Sequence, residues 1–337
     1  MERRFWFECR RRVSGKSWRP DWGHDLELAN PAVKEGALAE QAESQANKKT
    51  VSRSDLARHD RFEQISPEVG ELDEAAIDEA LKESPDEILG MLADLTAATD
   101  PKLRELARRL AGRVMLEIAR TGKPRPRGIG KMTLVNYQPD AGDIDIDASL
   151  DGLNEIRVHG AVDVDALKVR GWTKPGTAFS LVVDRSGSMG GKPLANSAMA
   201  AAAVASREPS DYSVLVFGND VVVAKSQDVS RSSEQVVNTV LSLRGFGTTN
   251  LAQALTTASL QLARSRAGRR VTILFSDCRS TVEGDAVLAG SSLEELVIIA
   301  PVDDDAEARV FAQQVGARFT TVSGPSDVPD ALRRVLD

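Results

Sequence analysis

The C-terminal half of this 337-residue sequence predicts a doubly wound α/β domain with a mostly parallel sheet. From Gly176 onward, short apolar stretches alternate with helical patterns, which is typical of strands joined by crossover helices. Polar residues also follow directly on two of these stretches, at Asp184 and Asp277. Ligands of such sheets bind at the carboxyl ends of the strands, so both aspartates are expected at a site.

The elements of this domain, residues 177–337, are assigned in order from the period of their apolar residues. The predicted strands are Ala178–Asp184, Tyr212–Phe217, Val221–Lys225, Val271–Ser276, Leu296–Ala300 and Arg318–Val322. The predicted helices lie near 191–206, 231–242, 250–266, 305–315 and 327–336.

Composition divides the preceding chain into three segments. Residues 1–64 begin with a basic, solvated stretch and remain polar, so they are predicted to be largely disordered. Residues 65–121 are predicted to form a small helical domain. Residues 122–176 begin as a basic linker containing Pro and Gly, and they continue into an acidic strand region.

Three start signals support the helical domain. Glu71–Leu81 has a helical pattern, and Ser84-Pro85-Asp86-Glu87 predicts a capping box with Pro at the first helical position. Thr99-Asp100-Pro101 begins the next helix. Apolar residues then recur at spacings of three and four, at Leu103, Leu106, Leu110, Val114 and Ile118.

The acidic region has two interpretations. Asp143–Asp147 alternates acidic and apolar residues, which predicts a half-buried strand with a carboxylate face. Asp at alternate positions also begins EF-hand calcium loops. That loop requires Gly at its sixth position and Glu at its twelfth, where this chain has Ala148 and Asn154, so the strand is favoured.

Composition also excludes several classes of protein. With 43 Lys and Arg against 50 Asp and Glu, the net charge of -7 argues against binding to nucleic acid or anionic membranes. No apolar segment approaches the roughly 18 residues of a transmembrane helix, and the basic N-terminus lacks the apolar run of a signal peptide. Cys9 and Cys278 lie too far apart for a disulfide framework or a zinc site. A cytoplasmic location is expected.

Oxygen donors gather at three separate places in the α/β domain. Asp184, Ser186 and Ser188 follow the first strand at alternate positions. Gly247-Thr248-Thr249-Asn250-Leu251 opens a helix, and Asp277 follows a later strand. Carboxylates and hydroxyls are hard ligands, which select Mg²⁺ or Mn²⁺ over zinc or copper. Mg²⁺ bound in this way keeps a coordination position for a further ligand.

Two other interpretations compete with a metal site. Taken alone, Ser186-Gly187-Ser188 is equally well explained as a turn whose hydroxyls cap helix amides. A serine hydrolase requires a base beside the serine, but the three histidines, His24, His59 and His159, precede the α/β domain. No Gly-x-Ser-x-Gly motif is present either, so we predict no catalytic residue.

The three stretches together resemble the metal-ion-dependent adhesion site of von Willebrand factor type A (VWA) domains. The resemblance covers about residues 177–337 and rests on Asp184-x-Ser186-Gly187-Ser188-Met189, Gly247-Thr248-Thr249-Asn250-Leu251-Ala252 and Phe275-Ser276-Asp277. It implies that the metal ligands are Asp184, Ser186, Ser188, Thr249 (rather than Thr248) and Asp277. The family aspartate is usually followed by Gly, whereas this chain has Cys278, which we interpret as a packed core residue.

The resemblance also implies a function. A helical segment before a VWA domain is similar to bacterial cytosolic VWA proteins of the CoxE-like kind and to the metal-site subunit of magnesium chelatase. Such proteins act through a metal whose coordination is completed by a partner's Asp or Glu, and they commonly work beside a MoxR-class AAA+ ATPase. We therefore expect a non-enzymatic adaptor. The alternatives are a chelatase-like subunit of a metal-insertion complex and a structural VWA domain with an empty metal site.

Overall fold

The computed structural model describes residues 50–336, except residue 60 and the segments 122–130, 137–142, 151–166, 174–175, 186–190, 244–247 and 281–283. The predictions for residues 1–49 of the N-terminal segment and for the basic linker lie outside the described residues, whereas residues 50–64, predicted to be largely disordered, include helical residues. The predictions for two of the proposed metal ligands, Ser186 and Ser188, also lie outside the described residues.

Helices form the first part of the described chain. They are α1 (Arg53–Leu56), α2 (Phe62–Ile65), α3 (Glu74–Glu83), α4 (Pro85–Leu95) and α5 (Pro101–Thr121). The last three correspond to the three helical patterns predicted between residues 71 and 121, while α1 and α2 lie at or before the predicted domain start at 65. Asp73 caps α3, because its side chain accepts hydrogen bonds from Ala75 N and Ala76 N.

The predicted capping box at the start of α4 is wrong. Pro85 occupies the first turn as predicted, but the Ser84 side chain makes no capping hydrogen bond. Ser84 also ends α3, where its backbone N–H donates to Ala80 O, and this fixes its conformation. In the first turn of α4, Asp86 Oδ1 accepts a hydrogen bond from Ser326 N at 2.8 Å, far along the chain.

A small antiparallel sheet follows, with strand order β1-β3-β2. Its strands are β1 (Lys131–Asn136), β2 (Asp143–Ile144) and β3 (Lys168–Thr173). The predicted acidic strand is confirmed only over β2, because a 3₁₀ turn at Asp147–Ser149 follows it. The predicted burial of its apolar residues is wrong, since Ile144 and Ile146 are exposed while Asp145 is buried. Asp145 drives the turn: its carboxylate accepts from Ala148 N at 2.9 Å and pairs with Arg170 Nε at 2.5 Å. These two contacts lower the pKa of Asp145.

The main sheet has six strands in the order β6-β5-β4-β7-β8-β9. They are β4 (Thr177–Asp184), β5 (Tyr212–Phe217), β6 (Val221–Lys225), β7 (Arg269–Phe275), β8 (Leu296–Pro301) and β9 (Arg318–Val322). All neighbouring pairs are parallel except β5 with β6. The predicted fold class, a doubly wound and mostly parallel sheet preceded by helices, is confirmed.

Helices cover both faces of this sheet. They are α6 (Gly191–Arg207), α7 (Ser233–Ser242), α8 (Leu251–Leu262), α9 (Ala286–Ser291), α10 (Ala306–Val315) and α11 (Val328–Leu336). The sequence predicted all of them except α9, whose six residues are too few to show a helical period. In the part of the chain that the structure describes, no helix has the length and apolar character needed to cross a membrane.

Two apolar cores lie on opposite faces of the sheet, as the alternation along β4 requires. Phe179, Leu181 and Val183 point into one core, and Val182 points into the other. The first core also contains the helices before the sheet, because the alanine-rich α6 is buried along residues 194–205, between the sheet and those helices. The helical segment and the α/β segment thus share buried residues, and the domain boundaries at 65, 121 and 176 stay predictions.

Candidate metal centre

Three neighbouring parallel strands, β5, β4 and β7, end together at one edge of the main sheet. Asp184 is the last residue of β4, and it pairs with Phe217 at the end of β5. Val183 pairs with Phe275 at the end of β7. Because the strands end in register, the residues that follow them meet at this carboxyl edge.

Asp184 is held by a residue from the next strand. It is 8% exposed, and Ser276 Oγ donates a hydrogen bond to its Oδ2 at 2.6 Å. Ser276 Oγ also accepts from Cys278 N at 2.9 Å, so this buried serine orients the carboxylate and connects the two strand ends. The sequence showed Ser276 only as the neighbour of Asp277, because a contact across 92 positions leaves no local signal.

The structure separates the two candidate threonines. Thr249 is buried, whereas Thr248 is exposed and its hydroxyl donates to Asn219 Oδ1 at 2.9 Å. Asn250 fixes this turn, since its N–H donates to Gly218 O at 2.8 Å and its side chain accepts from Gln253 N to cap α8. The choice of Thr249 over Thr248 as the metal ligand stays a prediction.

Asp277 lies in a tight turn after β7. Its Oδ1 accepts a hydrogen bond from Arg279 N at 3.0 Å. The next residue, Cys278, has φ of 63°, and among the described residues it is the one non-glycine with positive φ. This conformation favours glycine, which gives a physical reason for the family's preference at this position. Cys278, which stands where the family usually has Gly, nevertheless adopts the left-handed conformation.

Cys278 is buried in the second core, as interpreted from the sequence. Burial raises the pKa of its thiol, and the charges of Asp277 and Asp184 raise it further. A thiol in this environment stays protonated and is a poor nucleophile and metal ligand.

Arg185 places a positive charge beside the same edge. Its backbone N–H donates a hydrogen bond to Phe217 O at 2.8 Å. Its side chain lies over Gly218, so that a Cβ added to this glycine would be 3.3 Å from Arg185 Nε. Nε is buried and has no hydrogen-bond partner. Burial lowers the pKa of Arg185, although the charge of Asp220 opposes this effect. Sequence analysis did not single out this residue.

The described donor set fits a hard divalent cation. Asp184, Thr249 and Asp277 all lie at the carboxyl edge, and they offer carboxylate and hydroxyl oxygens, the ligands that Mg²⁺ and Mn²⁺ prefer. Within the described residues, no group of three or more His, Cys, Asp and Glu side chains forms a metal cluster. The proposed site would not be found as such a cluster, because it contains two carboxylates and its other proposed ligands are hydroxyls. The roles of Ser186 and Ser188 stay predictions.

The fold and the edge described above define an α/β domain with oxygen donors at the carboxyl ends of its strands. Residues 179–280 match the family model for the von Willebrand factor type A domain. This part of the chain is therefore similar to a VWA domain.

Several solved structures are similar to about half of this chain. Proximal thread matrix protein 1 from the mussel byssus is 13% identical with a TM-score of 0.38, over 48% of this chain and 47% of that one. An aerotolerance-related membrane protein from Bacteroides fragilis is 15% identical with a TM-score of 0.39, over 48% and 98%. The manganese-loaded TRAP protein of Plasmodium vivax is 17% identical with a TM-score of 0.38, over 48% and 74%.

No curated protein matches the chain.

Proposed function

We propose that this chain is a metal-dependent protein-interaction module that acts as an adaptor and not as an enzyme. Asp184, Ser186, Ser188, Thr249 and Asp277 would hold Mg²⁺ or Mn²⁺ at the carboxyl edge of the sheet. The cation supplies a Lewis-acidic position that a carboxylate of a protein partner can fill. The observation that carries the proposal is the presence of Asp184 at the end of β4, and of Thr249 and Asp277 on loops, at one edge of the sheet.

The chain's own residues prepare this edge for a charged ligand. Ser276 holds the carboxylate of Asp184 by a hydrogen bond, and the cap on α8 holds the turn that contains Thr249. The guanidinium of Arg185 adds a positive charge over Gly218, close to Asp220 and to the turn that contains Thr249. A cation with a neighbouring arginine favours a negatively charged partner group over a neutral carbonyl.

The neighbouring threonines give the metal test a matched pair. We expect Mg²⁺ or Mn²⁺ to raise the melting temperature of the wild type, because a ligand that binds only the folded state stabilises it. Thr249→Ala and Asp184→Asn should abolish this shift, while Thr248→Ala should keep it. Differential scanning fluorimetry with and without each metal measures the shift. If all four proteins respond alike, the residues assigned here do not bind the metal.

We propose that this chain is cytoplasmic and works with a MoxR-class AAA+ ATPase, as the adaptor in remodelling or maturation of a target. The support is the resemblance in arrangement, a helical segment followed by a VWA domain. Purified ATPase from the same organism should bind the wild type in Mg²⁺ and be released in EDTA, as measured by biolayer interferometry. Retention in EDTA, or equal binding by Ser186→Ala, would contradict a metal bridge.

A further inference from the structure

The start of α6 is held by a residue from the helical segment. Gly191 is the first residue of α6, and its N–H donates to Asp94 Oδ1 at 2.7 Å across 97 positions of sequence. Asp94 lies in α4, and its other oxygen, Oδ2, is 3.4 Å from His59 Nε2. The carboxylate is therefore contacted on both sides by residues outside its own helix.

This contact caps the start of α6 from another helix. The first N–H groups of a helix have no partner within the helix, and a side chain just before the helix usually satisfies one of them. The residue before α6 is Gly190, which has no side chain. The Asp94 carboxylate accepts from the first helical N–H instead, and its charge also suits the positive end of the helix dipole.

Close packing fixes α4 against this point of α6. A Cβ added to Gly90 would lie 3.2 Å from Lys192 N and 3.3 Å from Lys192 Cγ, so the two helices approach closely there. Leu89 and Leu92 on α4 and Leu194 on α6 are buried in the same core. A shift of Gly191 relative to Asp94 would therefore disturb packed side chains as well as one hydrogen bond.

We infer that Asp94 is a positioning residue for the metal centre, an inference that rests on the proposed function. Gly191 follows Ser188 by three residues, so Asp94 anchors the chain where the Asp-x-Ser-x-Ser stretch ends. Ser276 anchors it where the stretch begins, at Asp184. The helical segment thus contributes to metal affinity through the backbone of α6, without contact between Asp94 and the ion.

Asp73 provides a matched control for the test. It is also a capping aspartate of the helical segment, but it caps α3 through Ala75 N and Ala76 N. Loss of either cap costs a similar free energy of unfolding, about 1 kcal/mol. The Mg²⁺ dissociation constant of full-length wild type, Asp94→Ala, Asp94→Asn and Asp73→Ala is measured by isothermal titration calorimetry, with folding checked by circular dichroism.

Asp94→Ala should weaken Mg²⁺ binding about tenfold or more, the usual cost of losing a group that supports a ligand. Asp94→Asn keeps an acceptor for Gly191 N and should stay within about threefold of the wild type, as should Asp73→Ala. Equal affinity in Asp94→Ala and Asp73→Ala overturns the inference and leaves the proposed function intact. A wild type that binds no divalent cation overturns both.

Discussion

Polar residues at the amino edge and at the carboxyl edge of the main sheet have different surroundings. At the amino edge, Asp211 accepts from Gln227 Nε2 and from Ser265 Oγ, both at 2.6 Å. Nearby, Lys225 Nζ donates to two backbone carbonyls, Tyr212 O at 2.5 Å and Ser226 O at 3.1 Å. At this edge, side chains and backbone groups from separate segments satisfy one another in a polar network. Its contacts explain stability without a ligand.

The carboxyl edge instead gathers oxygen donors on separate loops. Asp184, Thr249 and Asp277 follow or precede different elements, and they meet because the parallel strands end in register. Polar groups whose donors and acceptors pair with one another stabilise the fold, whereas a set of carboxylate and hydroxyl oxygens suits an external ion. Changes at the two edges should therefore separate stability from metal binding.

The largest effect on stability is expected at the amino edge. Asp211→Ala leaves the donors of Gln227 and Ser265, both largely buried, without their partner. We expect the free energy of unfolding to fall by about 2–4 kcal/mol, because an unsatisfied buried polar group costs about 1–3 kcal/mol. Urea denaturation measures the change. The Mg²⁺ dissociation constant should stay within about threefold of the wild type, and a larger loss would show that the two edges are coupled.

The next effect is a dependence of stability on pH at the same edge. Lys225 is 2% exposed, and burial lowers its pKa to about 8 from an ordinary 10.5. Between these values the unfolded chain binds more protons than the folded one, so stability rises with pH, by up to about 3 kcal/mol. Burial raises the pKa of Tyr212 to about 12 from 10, which makes stability fall again above pH 10.

The control for this pH dependence is Lys225→Met. Urea denaturation at intervals from pH 7 to 10 should show rising stability in the wild type and a flatter profile in the variant. If stability rises equally with pH in both proteins, burial does not lower the pKa of Lys225 and another group causes the pH dependence.

The sequence predicted the strands, most helices and the strand-end aspartates, because each depends on a local period or on the topology that the alternation implies. It did not predict how Asp184 and Gly191 are held. Their partners, Ser276 and Asp94, lie 92 and 97 positions away, and a single hydrogen bond at that distance has no periodic pattern. Strands β1 and β3 of the small sheet were missed for a similar reason, since they pair across a long connection in a segment interpreted mainly as linker.

The smallest expected effect concerns Cys278, which lies at the carboxyl edge but is not proposed as a ligand. Its φ of 63° is strained for a residue with a side chain, by about 1–2 kcal/mol. Cys278→Gly relieves this strain, while Cys278→Ala keeps the strain and loses the packing of the sulfur. We expect Cys278→Gly to be more stable than Cys278→Ala by about 1 kcal/mol in urea denaturation.

Both variants should bind Mg²⁺ as the wild type does. An alanine variant that is the more stable of the two would show that packing, and not backbone conformation, determines this position. A loss of metal binding in both variants would show that Cys278 contributes to the metal site.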